Sequence, residues 1–95
     1  MSEQTKTVVQ TKPIVQHDLP WNVILWNDPI NLMEYVIKVL QKVFGYQADL
    51  AHKLTMEAHA GGKALVATEP REQAEMHAQK LHEFGLQATI QRQDG

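Results

Sequence analysis

Apolar residues in this chain fall into three short continuous or alternating runs, separated by three stretches where they recur at helical spacing. Residues 21–26 read WNVILW, β-branched and aromatic, and stop at Asn27-Asp28-Pro29. This is a strand closed by turn residues, and its near-unbroken apolar character predicts burial on both faces at the centre of a sheet. Asn31 then stands where an N-cap belongs, with Glu34 three positions on, as in a capping box built on Asn. The helix it opens runs to about residue 44 and stops at Gly45. A second helix over residues 48–60 carries Leu50, Ala51, Leu54 and Ala58 and ends at Gly61-Gly62. KALVAT, residues 63–68, is a second strand. Pro70 and Glu72 open a third helix with Ala74, Ala78 and Leu81 on one stripe, ended by Gly85. Residues 86–91 alternate apolar and polar, as a half-buried third strand does.

The order β-α-α-β-α-β sets the topology. Two helices between strands one and two make those strands antiparallel, and one helix between strands two and three makes them point the same way. Strand one then lies in the middle, antiparallel to both neighbours. The expectation is an α+β sandwich: a three-stranded antiparallel or mixed sheet, strand order 2-1-3, with three helices on one face. Residues 1–18, rich in Gln, Thr and Lys, keep no period and are expected to form a flexible N-terminal extension. Residues 19–95 form the core domain.

Composition narrows the function. Ninety-five residues, 43% hydrophobic and 21% charged, fill one modest core and not two. A net charge of -2 lacks the basic footprint of a nucleic-acid binder. With no cysteine there is no disulfide, thiolate metal site or cysteine nucleophile. No apolar run reaches the roughly 18 residues of a membrane span, so a cytoplasmic protein is expected.

Enzymatic readings fail early. The only serine, Ser2, lies in the extension, leaving a catalytic triad without its nucleophile. Gly61-Gly62-Lys63 lacks the spacing of a phosphate loop and leads into a strand, whereas phosphate loops lead into a helix. His52 and His59 fall about 20° apart on a helix wheel but roughly 10 Å apart along it, too far to chelate one ion. Neither a metal nor a cofactor is expected. The first helix is more informative: Leu32, Met33, Tyr35, Val36, Ile37, Val39, Leu40, Val43 and Phe44 spread beyond a single stripe. The surplus either packs under neighbouring helices or lines a groove. Asn27 and Asp28 beside such a groove suit a cation attached to a hydrophobe, and equally they make an ordinary turn.

The string Val23-Ile24-Leu25-Trp26-Asn27-Asp28-Pro29, then Met33-Glu34-Tyr35-Val36 and Val39-Leu40-Gln41-Lys42, resembles ClpS, and so does Ala58-His59-Ala60-Gly61-Gly62-Lys63-Ala64. ClpS is the bacterial adaptor that delivers N-degron substrates to the Clp unfoldase–protease; it is not an enzyme. The resemblance covers about residues 21–91 and implies the fold already expected. It implies that Asn27, Asp28 and His59 hold the α-amino group of a substrate's first residue. It places Met33, Val36 and Thr55 on the wall of a pocket for that residue's side chain (Leu, Phe, Tyr or Trp), Asn31 at its rim and Leu86 beside it at the start of strand three. His59 serves as an acceptor only while its facing nitrogen is unprotonated. Two positions depart from the family pattern. Pro29 replaces a frequent third acidic residue, and Thr55 replaces a frequent methionine, leaving the pocket wider or wetter on that side. The implied partner is the N-terminal domain of a ClpA or ClpC unfoldase, met through the start of the third helix at Glu72 and His77. The extension would help hand substrate over, and the chain would act as a monomer. The alternative with the same element order is an interaction module of the ribosomal stalk C-terminal-domain type, which has no need of Asn27, Asp28 and His59.

Overall fold

A computed structural model describes residues 19–93; the extension assigned to residues 1–18 lies outside them. The elements follow in the order β1 (Trp21–Trp26), α1 (Met33–Phe44), α2 (Ala48–Gly61), β2 (Lys63–Glu69), α3 (Arg71–Glu83) and β3 (Ala88–Arg92). The sheet order is β2-β1-β3, with β1 antiparallel to both neighbours.

One sheet face is built from small and medium apolar residues. Val23, Leu25, Ala64, Val66 and Ala88 form a single buried cluster with Val36, Val39 and Leu40 of α1, Ala51, Leu54 and Ala58 of α2, and Ala74 and Leu81 of α3. All three helices therefore lie on that face. The many alanines let helix backbones approach the sheet closely at near-crystalline packing density.

Among the described residues the opposite face carries no helical layer, which corrects the expectation that β1 is buried on both sides. Trp26 is 39% and Leu65 48% exposed there, while Ile24, paired with Leu65 and Thr89, is 9% exposed. A short stretch with five apolar residues in six cannot by itself distinguish a covered face from one closed over by its own neighbours. Trp26 is tied by an Nε1–H bond to Thr89 Oγ1 (2.8 Å), and the Lys63 ammonium lies 5.5 Å from its ring centroid.

The β1–β2 register shifts between Val23 and Ile24, which pair with Ala67 and Leu65. Val66 is the extra residue of that bulge, and its carbonyl accepts the Tyr46 hydroxyl. Burial pushes the Tyr46 phenol above its ordinary range, with the Glu69 charge adding to the effect. Gly62 closes α2 at φ 94°, a left-handed conformation that side chains rarely adopt, and its N–H bonds to Ala58 O. The third helix begins at Arg71, so Pro70 is its extended N-cap and not its first helical residue. β3 begins at Ala88, two residues later than the alternation suggests, because the Leu86 N–H is turned back to Leu81 O (2.9 Å).

Candidate functional site

The end of β1 is anchored on both sides: the Trp26 N–H donates to Gln87 O (3.0 Å) and the Asn27 N–H to Gly62 O (2.9 Å). Beyond it the chain turns on Asp28. One carboxylate oxygen accepts the backbone N–H groups of Ile30 (2.8 Å) and Asn31 (3.2 Å), and the other accepts the Asn31 side-chain amide (2.6 Å). This is an Asx-type turn closed a second time by a side chain.

Asn31 is therefore not the helix cap. Its Nδ2 is committed to Asp28 and also donates to Gly85 O (3.1 Å), from 54 residues away in sequence. The capping position falls to Leu32, extended at φ -68° and ψ 146°, with no side-chain cap, so the box with Glu34 does not form. Tyr35 adds a second tie, its hydroxyl donating to Phe84 O (2.6 Å). The loop and the first turn of α1 are thus fastened to the turn after α3, where Gly85 holds φ 86°.

The Asn31 amide holds the Asp28 carboxyl below the usual carboxylate range; burial works against this, and the Ile30 and Asn31 backbone N–H groups reinforce it. A group lowered on folding stabilises the fold above its unfolded value, about 3.9 for Asp, and stops doing so as pH falls through the lower folded value. Asp28→Asn should therefore be less stable than the parent at neutral pH. The gap in melting temperature should close as the pH drops below about 4. A gap that persists unchanged in acid would detach Asp28 from the loop's stability.

A cavity of about 350 Å³ opens between this loop, the start of α1, the end of α2 and Leu86. All eight pocket residues singled out in the sequence line it: Asn27, Asp28, Asn31, Met33, Val36, Thr55, His59 and Leu86. They are graded by burial. Asn27 and His59 are exposed at one end, Met33 is 38% exposed, and Val36, Thr55 and Leu86 are buried deep in the cavity at 6%, 3% and 3%. Among the described residues, the Asn27 amide and the His59 imidazole make no hydrogen bond to another side chain or backbone group, so their capacity is unspent at the mouth. Thr55 donates its hydroxyl to Ala51 O (2.8 Å), one turn back in its own helix. That proton is not offered to the cavity. Leu32 and Ala58 also line the cavity; the sequence marked them only as apolar positions of the first and second helices, not as pocket residues.

Glu72 and His77 lie away from this cavity on α3. Glu72 is exposed on the first turn. His77 is turned inward: its Nδ1 lies 2.6 Å from Glu69 Oε2, both side chains are largely buried, and its ring centroid sits 4.6 Å from that of Phe44. Five positions separate the two residues, about 140° around the helix, so they do not share a face.

Residues 16–89 match the family model of the ATP-dependent Clp protease adaptor protein ClpS. The chain is 42% identical over 90 residues to the Clp protease adapter protein ClpS of Streptomyces coelicolor, covering 95% of this chain and 94% of that one. It is 45% identical over 83 residues to the ClpS of Mycobacterium tuberculosis, covering 87% and 82%. Among solved structures it is similar to Agrobacterium tumefaciens ClpS2 bound to L-phenylalaninamide, with a TM-score of 0.78 and 29% identity over 80% of this chain and 99% of that one.

Proposed function

The chain belongs to the ClpS family of Clp protease adaptor proteins, and we propose that it binds substrates through a free α-amine and a bulky hydrophobic first residue (Leu, Phe, Tyr or Trp), then delivers them to a ClpA or ClpC unfoldase. The observation that carries this reading is the grading of one cavity, from unspent polar groups at Asn27 and His59 beside the Asp28 carboxylate to a buried wall of Val36, Leu86 and Thr55, whose hydroxyl proton is spent on Ala51 O. A free α-amine has a pKa of about 7.7–8.0 and is mostly cationic at neutral pH. It donates to an amide carbonyl and an unprotonated imidazole and is attracted by a nearby carboxylate. L-Phenylalaninamide, held by the similar Agrobacterium protein, has the same groups as the first residue of a peptide: a free amine, an aromatic side chain and an amide in place of a carboxylate. Docking on the unfoldase N-terminal domain would use the start of α3, where Glu72 is exposed, while His77, mid-helix and held inward by Glu69, lies off that face.

The test is a panel of labelled peptides differing only in their first residue, titrated by fluorescence polarisation. Leu-, Phe-, Tyr- and Trp-initiated peptides should bind about tenfold or more tighter than Ser- or Glu-initiated ones, the worth of burying one large apolar side chain. A flat panel would overturn the assignment.

A further inference from the structure

Ile30 and Leu32 are the most exposed large apolar side chains among the described residues, at 84% and 71%. Their exposure does not come from a loose loop. The Ile30 N–H is bonded to Asp28, and Asn31 between them is bonded through its side chain to Asp28 and to Gly85 O. The inward-turned Asn31 leaves the side chains before and after it facing solvent from a clamped backbone. Leu32 also lines the cavity, whereas Ile30 lies beyond it. Together they make an apolar path from the cavity mouth outward. An exposed apolar pair on a rigid segment beside a binding cavity marks a contact surface.

We infer that this path is an additional subsite, in which Ile30 contacts the side chain of the substrate's third residue as the chain leaves the cavity past Leu32. The inference rests on the amine-and-pocket reading above. In an extended chain alternate side chains point the same way, about 6.6 Å apart. If the first side chain enters the cavity, the second faces away and the third returns to the protein surface. Ile30 is two residues from Leu32, at most about 7 Å along the backbone, so the spans match. The occupant is an apolar side chain, since the two loop residues offer it no polar side-chain group.

The experiment compares peptides with a free α-amine beginning Phe-Ser-Leu, Phe-Leu-Ser and Phe-Ser-Ser on the full chain and on Ile30→Ser, with an acetylated Phe-Ser-Leu peptide as control. The first should bind roughly three- to tenfold tighter than the other two, the fraction of a full side-chain burial that an open rim supports. Ile30→Ser should abolish that ratio, and circular dichroism melts should show it folded, as expected for a residue 84% exposed. Equal binding of the three peptides overturns the subsite alone, as does a preference for Leu at the second position or a ratio that survives Ile30→Ser. An acetylated peptide that binds as well as the free one overturns both this inference and the reading it rests on.

Discussion

Acetylation of the first residue of a Phe- or Leu-initiated peptide should cost roughly thirtyfold or more in affinity, the effect of removing one partner from a charged hydrogen-bonded contact (about 2–5 kcal/mol). The side chain that fills the cavity is untouched by this change. What disappears is the positive charge and two of the amine's three donors, with a methyl group and a carbonyl placed where Asn27 and His59 hold open hydrogen-bonding capacity. The Asp28 carboxylate gains nothing in exchange, since three intraprotein donors already keep it ionised in this loop. Fluorescence polarisation with matched free and acetylated peptides measures the difference directly. If the two bind equally, the mouth of the cavity does not read an amine, and the proposed function fails with it.

Selectivity against β-branched first residues should turn on Met33. Val and Ile are bulky at the carbon next to the backbone, whereas Leu, Phe, Tyr and Trp branch farther out. Met33 is the first residue of α1, lines the cavity and remains 38% exposed, which places it at the mouth and outside the buried core. Met33→Ala should widen that mouth, so that Ile- and Val-initiated peptides gain on the order of tenfold while Leu and Phe peptides weaken through lost contact. A buried methionine cut to alanine costs about 2–5 kcal/mol, and a side chain this exposed should cost much less. Peptide titrations run beside thermal melts separate the two roles. A variant that melts far lower and still rejects Ile and Val would assign Met33 to the core.

The difference between what was legible in the sequence and what was not follows the reach of the interactions. The limits of β1 and the ends of α1 and α2 are set within a few residues, by a turn triplet and by glycines at left-handed positions, and a local reading recovers them. The central place of β1 follows from counting helices between strands. Asn31 is the instructive failure. Residues 31–34 satisfy the capping pattern, but the amide is drawn off by Asp28 and by a carbonyl 54 positions away. The same holds for His77, which reads as a surface residue until β2 and the end of α1 bring Glu69 and Phe44 against it. The eight cavity residues were reached through their likeness to a known family. Hydrophobic periodicity alone left the surplus face of the first helix divided between packing and a groove.

The ties that shape the cavity also decide when it can exist during folding. Trp26 bonds to Thr89 across 63 positions, Asn31 to Gly85 across 54 and Tyr35 to Phe84 across 49. Each closes a long loop, whose entropic cost is met only after intervening helices have condensed. The wall at Leu86 and the clamp at Gly85 belong to the segment between α3 and the last strand. Recognition is thus a property of the finished fold, and a partly folded chain would have no formed cavity with which to hold a substrate.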